Sequence, residues 1–110
     1  FTDFFEKFKK DSVYQIRHTE FPLFYVYSDE DFPLDDMQGM INLSEYRYND
    51  FRKDTLEYKG KKYPNEVITQ RSKDSVHYYQ SGINSYVDLR YHFAFKDGCW
   101  YLVRFDDMTD

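Results

Sequence analysis

The sequence predicts one α+β domain spanning residues 1–110, in which an N-terminal helix packs on a mainly antiparallel sheet. Three observations favour this class. Apolar residues near the N-terminus recur at helical spacing, whereas the last third of the chain alternates apolar and polar residues as strands do. The chain has 110 residues and a single cysteine, so it is long enough to bury one core without a disulfide.

The first predicted element is an amphipathic helix over residues 2–10. Phe4, Phe5 and Phe8 are separated by charged residues, and this spacing places the three rings along one side of a helix. Residues 21–27 (FPLFYVY) are rich in strand formers. We expect a strand there, with its proline at the start or on an edge.

The middle of the chain predicts an acidic loop followed by a short helix. Residues 28–36 (SDEDFPLDD) carry five carboxylates, a composition typical of a loop. A calcium loop is the alternative, but the acidic positions do not match its pattern and no glycine stands at the required bend. In residues 37–58 we expect a short helix capped by Ser44. Its apolar face would carry Leu43, Tyr46 and Phe51.

A hairpin turn is predicted at Lys59-Gly60-Lys61, where it joins residues 55–58 to residues 62–63. Pro64-Asn65 is expected to end this hairpin, because proline cannot donate to a ladder of backbone hydrogen bonds.

The last third predicts a strand over residues 75–80 and then a long hairpin. Residues 86–96 alternate strictly between apolar and polar side chains, and Asp97-Gly98 follows at once. That dipeptide between alternating runs is a strong signal for a two-residue turn, so the register of the hairpin follows by counting. The expected pairs are Lys96 with Cys99, Phe95 with Trp100, Phe93 with Leu102, His92 with Val103, Tyr91 with Arg104, Arg90 with Phe105, and Leu89 with Asp106.

This register predicts a binding site, because it places Arg104 and Asp106 on the apolar face beside Tyr91. Charged groups on a buried face must be paired or must line a cavity. In a cavity, the forked guanidinium of Arg104 suits an anionic or polar-headed ligand, and Tyr91 supplies an aromatic wall. The predicted ligand-binding residues are therefore Tyr91, Arg104 and Asp106. The alternatives are that Arg104 and Asp106 pair with each other, or that this end of the sheet opens to solvent.

Charge and composition exclude several partners. The formal net charge is −5 and the isoelectric point about 5.1, which removes the basic field that nucleic acids require. No apolar run approaches the ~20 residues that span a bilayer, so the domain itself is not expected to insert into a membrane. One cysteine and three scattered histidines give no metal-ligand spacing, and no cofactor motif occurs. We therefore expect no metal and no cofactor.

The sequence also resembles a family of uncharacterised proteins from anaerobic gut bacteria with a nuclear-transport-factor-like, or cystatin-like, α+β fold. The resemblance lies in the N-terminal aromatic helix, in Asp11-Ser12-Val13-Tyr14-Gln15, in Phe21-Pro22-Leu23, and in the final hairpin through Gly98-Cys99-Trp100-Tyr101-Leu102-Val103. It implies a curved sheet whose concave face forms a cone-shaped pocket. It also implies a location in the cell envelope, either periplasmic or lipid-anchored outside the cell.

Fold alone does not select an activity, since relatives with this fold include isomerases, dehydratases and binding modules. We expect a non-catalytic, envelope-associated domain that binds a small molecule, or a protein or glycan partner, through the concave pocket or an aromatic sheet face. A homodimer through a sheet face is a further expectation. The alternative is an isomerase- or lyase-like enzyme with its site in the cone, for which no catalytic residue can be named.

Overall fold

A computed structural model describes residues 1–29, 32–51 and 55–109. In these residues, two short helices precede seven strands, which form one sheet in the order β2-β1-β7-β6-β5-β4-β3. All neighbouring strands are antiparallel except β1 and β7, which run parallel. The elements are α1 (Thr2–Phe8), α2 (Ser12–Arg17), β1 (Thr19–Asp29), β2 (Phe32–Ile41), β3 (Thr55–Tyr58), β4 (Lys61–Arg71), β5 (Ser75–Gly82), β6 (Asp88–Lys96) and β7 (Cys99–Asp107).

The N-terminal helix predicted from the phenylalanine spacing is confirmed as α1, and a second helix, which was not predicted, follows it. The Asp11 carboxylate begins α2 by accepting hydrogen bonds from the backbone N–H groups of Val13 and Tyr14, at 3.0 and 3.1 Å. Such a cap satisfies donors that the first helical turn cannot. Within the described residues, neither helix has the length and apolar character needed to cross a membrane.

The middle of the chain differs from the expected loop and helix. Ser28 and Asp29 lie within β1, and residues 32–36 belong to β2. Residues 30 and 31, the rest of the predicted acidic loop, lie outside the described residues. No helix occurs in the described part of residues 37–58. Residues 37–41 continue β2, because pairing with β1 gives their backbone groups partners that a short helix cannot match. A turn then begins at Asn42, whose carbonyl accepts from Glu45 and Tyr46, rather than at Ser44.

Both predicted hairpin turns are confirmed. Lys59 and Gly60 have φ of 51° and 80°, and Asp97 and Gly98 have φ of 53° and 80°. Positive φ at both central residues is the geometry that matches the twist of a two-residue hairpin. The pairing of β3 with β4 ends at Pro64, as expected, but β4 itself continues to Arg71 by pairing with β5.

The register of the second hairpin follows the prediction as far as Leu102, which pairs with Phe93, and then shifts by one residue. Val103 forms a β-bulge, so His92 pairs with Arg104 and Tyr91 with Phe105. The pairs predicted beyond Leu102 are therefore wrong. Because successive strand residues point to opposite faces, a single inserted residue exchanges the faces of every residue that follows it.

The two faces of the sheet differ in their side chains. The core face carries Tyr78, Tyr91, Phe93 and Leu102, all buried. Helix α1 packs on it, as expected, and the Phe93 ring lies 5.2–6.0 Å from four phenylalanine rings of the N-terminal segment. The opposite face, termed the outer face, carries His77, His92, Arg104 and Asp106. Burial of large apolar groups on the core face supplies the main driving force for folding.

Candidate functional site

The bulge at Val103 divides the three predicted ligand-binding residues between the two faces. Tyr91 is buried on the core face, where its ring stacks on that of Phe105 with centroids 4.8 Å apart. Arg104 and Asp106 lie on the outer face instead, with their carboxylate and guanidinium in contact. The structure thus places Tyr91 in one candidate site and the charged pair in another.

On the outer face, His77, His92, Arg104 and Asp106 form what we term the outer cluster. The buried Asp106 carboxylate accepts a hydrogen bond from Arg104 Nε at 2.7 Å and lies 3.2 Å from His92 Nε2. The His77 and His92 rings meet edge to face at 4.4 Å. The predicted alternative, that Arg104 and Asp106 pair with each other, describes this arrangement. Such pairing gives the buried charge the partners it needs.

The environment of His92 keeps its imidazole neutral at physiological pH. Burial lowers the pKa of His92 from its ordinary value near 6.5. The Asp106 carboxylate opposes this shift without reversing it, and electrostatic interactions with His77 and Arg104 lower the pKa further. Within the described residues, no group of three or more histidine, cysteine or acidic side chains is arranged to hold a metal ion. The outer cluster is thus a paired polar network.

A cavity of about 280 Å³ opens on the core face, between the sheet and the segment that follows β2. Leu23, Leu102 and Phe105 give it apolar walls. Polar groups border it at Tyr46 and Asn49 and at the charged residues Glu45 and Arg47. These walls come from β1 and β7, which are neighbouring parallel strands of the sheet. A mostly apolar concavity with a few fixed polar groups is typical of small-molecule sites.

The polar border of this cavity is held by Gln15, which is fully buried in α2. Its Nε2 donates to the carbonyl oxygens of Phe8 and Asn49 at 3.0 and 2.9 Å. Its Oε1 accepts from the Tyr46 hydroxyl at 2.5 Å and from the Asn49 backbone N–H at 2.9 Å. Asn49 Nδ2 in turn donates to the Tyr91 hydroxyl at 2.6 Å. These hydrogen bonds attach the cavity border to α2 and to β6.

Both tyrosine hydroxyls at this border remain protonated near neutral pH. Burial raises the pKa of Tyr46 to about 12. Burial also raises the pKa of Tyr91 far above its usual range, and the nearby phenol of Tyr46 acts in the same direction. Phenols in this state serve as hydrogen-bond partners and not as phenolate bases.

The residues of this cavity border, apart from Tyr91, were missed by the sequence analysis. The apolar spacing predicts Tyr46 on the apolar face of a helix, and it predicts no site role for Gln15 or Asn49. Asp11 before an apolar stretch was the available signal for α2. No apolar pattern marks Gln15 as buried, since its apolar neighbours Val13 and Ile16 are exposed.

The α+β architecture is similar to that of NTF2-like and cystatin-like proteins, as the fold prediction and the family resemblance implied. A crystal structure of an NTF2-like protein from Bacteroides fragilis NCTC 9343 superimposes with a TM-score of 0.70 at 20% identity, covering 100% of this chain and 47% of that one. This chain thus spans about half the length of that protein. The crystal structure of a cystatin-like protein from Bacteroides caccae ATCC 43185 superimposes with a TM-score of 0.64 at 20% identity. The match covers 96% of this chain and 73% of that protein's chain. No protein-family model and no curated protein matches the sequence.

Proposed function

We propose that this domain binds, without chemical conversion, a small and largely apolar molecule in the core-face cavity. The observation that carries the proposal is the pairing of apolar walls, formed by Leu23, Leu102 and Phe105, with a border held in place by Gln15. Apolar walls favour transfer of the apolar part of a ligand from water into the cavity, and the polar groups at the border orient its polar end.

The polar groups at the border indicate which end of a ligand they would recognise. The Tyr46 hydroxyl and the Asn49 side chain offer neutral hydrogen-bonding groups. Neutral partners suit a hydroxyl, amide or ring N–H. The two charged residues that also line the cavity, Glu45 and Arg47, have opposite signs, so together they give no net attraction for a carboxylate. We therefore infer a ligand with one neutral polar group on an apolar body, such as a phenol or an indole.

Binding of p-cresol and of indole tests this proposal by thermal denaturation. Each probe should raise the melting temperature, because a ligand bound only by the folded state stabilises it. Ile41→Trp places a large ring at a cavity-lining position and should abolish the rise. Val13→Trp, at an exposed position of α2, is the matched control and should retain it. Absence of stabilisation by both probes, or a rise that persists in Ile41→Trp, would contradict the proposal.

We further propose that the domain works at the cell envelope, exported or lipid-anchored, as the family resemblance implies. Cell fractionation with antibodies against the domain tests the location, and mass spectrometry of the native N-terminus tests for a lipid anchor. Recovery in the cytosolic fraction would contradict the proposed location and would leave the cavity proposal intact.

A further inference from the structure

We propose that a second site, a groove on the outer face, binds a neutral saccharide. The groove has a volume of about 570 Å³ and is bordered by side chains of β4, β5 and β6 and of the loop between β5 and β6. It lies on the side of the sheet opposite the core-face cavity, so the proposal is independent of the function proposed above. We term it the outer groove.

The side chains of Ile68, Tyr79 and Tyr86 give the outer groove apolar surfaces. Ile68, Tyr79 and Arg90 are directly paired across three neighbouring strands, so they form one row along the groove floor. Tyr86 stands on the loop at the rim and is 70% exposed. An aromatic ring this exposed offers an unoccupied face on which the apolar C–H face of a sugar ring can stack.

A fixed pair of polar groups lies beside these rings. Arg90 Nε and Nη2 donate to the two oxygens of Asp88 at 3.2 and 2.9 Å, and the guanidinium lies 5.8 Å from the centre of the Tyr79 ring. The Asp88 backbone is held on both sides, by Thr109 Oγ1 and by the Met108 N–H. The pair therefore presents donors and acceptors in a planar, preorganised arrangement that suits neighbouring hydroxyl groups.

Charge and shape together favour a neutral sugar over an anion or a peptide. The charges of Asp88 and Arg90 cancel, so the pair gives no net attraction for a carboxylate or phosphate. The groove floor is a sheet face whose backbone groups already pair between β5 and β6. Recognition of an extended peptide by strand addition needs an open backbone edge, which a sheet face does not provide. Stacking combined with hydroxyl recognition is the chemistry that remains.

NMR titration with maltotriose, cellotriose and mannotriose tests the proposal, with digalacturonate as the acidic comparator. At least one neutral probe should shift the backbone amide signals of Ser85 and Tyr86. Tyr86→Ala should weaken that binding by about tenfold or more, since it removes the stacking surface. Phe95→Ala is the matched control, because Phe95 is also an exposed aromatic residue but lies outside the groove. It should leave binding unchanged.

A second variant tests the role of charge. Asp88→Asn leaves the Arg90 guanidinium without its counter-charge and should shift preference from neutral sugars towards digalacturonate. No response to any neutral probe would overturn the proposal. So would neutral binding that survives Tyr86→Ala, or a parent protein that prefers digalacturonate. If an extended peptide competed for the groove with an affinity equal to that of the neutral sugar, the proposed ligand would be a peptide and not a saccharide.

Discussion

His92 Nε2 lies 3.2 Å from the Asp106 carboxylate, yet the net effect of its surroundings is to disfavour protonation of the imidazole. Burial removes the water that would stabilise an imidazolium, and Arg104, which donates to the same carboxylate at 2.7 Å, adds repulsion. Asp106 therefore has one permanent cationic partner and one neutral partner. The charges of the outer cluster are therefore paired when the His92 imidazole is neutral.

This relationship predicts that the protein loses stability as the pH falls below the ordinary histidine value. The pKa of His92 is lower in the folded state than in the unfolded chain, so the unfolded state binds more protons in that range. The free energy of unfolding should then fall as the pH drops from about 7 to 5. Urea denaturation at several pH values measures this. His92→Gln should flatten the profile, and His18→Gln, which leaves His92 in place, should retain the slope.

Arg104→Met should uncouple the outer cluster. Removing the guanidinium takes away one cause of the lowered His92 pKa, so that pKa should move up towards its ordinary value. Although the Arg104 side chain is 44% exposed, its loss leaves the buried Asp106 carboxylate without a cationic partner, so it should cost about 3 kcal/mol of stability. NMR titration of the His92 ring reports the pKa directly. Arg90→Met is the control, and a His92 pKa that moved equally in both variants would contradict the coupling.

The sequence predicted the general fold because its strongest signals are local. Phenylalanine spacing identified α1, and Asp97-Gly98 located the final hairpin and its first pairs. Nothing local distinguishes Val103 from a regular strand residue, since a bulge depends on how β7 fits its neighbours on both sides. One unmarked residue was enough to assign Arg104 and Asp106 to the wrong face.

The candidate sites were less predictable for a related reason. The cavity border depends on Gln15 and Asn49, which are 34 positions apart and meet only after the sheet has formed. Polar residues of this kind carry no apolar period, so pattern analysis treats them as surface. The groove at Tyr86 likewise depends on the pairing of three strands, which brings Ile68, Tyr79 and Arg90 together.

Phe93→Ala should destabilise the domain by about 3–5 kcal/mol, because it removes a buried ring from the centre of the aromatic core. Phe93 is 1% exposed. Phe95, two residues along the same strand and on the same face, is 41% exposed and packs on Trp100 at the sheet end. Phe95→Ala should cost about 1 kcal/mol or less. Urea denaturation compares the two directly, and equal losses would show that helix α1 does not cover Phe93 as described.

Gln15→Leu tests whether one buried amide organises the core-face cavity. The substitution keeps a similar volume, but it removes the four hydrogen bonds that Gln15 makes to Phe8, Tyr46 and Asn49. Buried groups that lose their partners each cost about 1–3 kcal/mol, so we expect a loss of about 3 kcal/mol or more in the free energy of unfolding. The Tyr46 and Asn49 amide signals should also broaden in NMR spectra, since the border is no longer fixed. Gln38→Leu, at an exposed position of β2, should change stability by no more than about 0.5 kcal/mol. If both variants were equally stable, the segment after β2 would be held by packing alone. The inference that Gln15 holds the polar border in place would then be wrong.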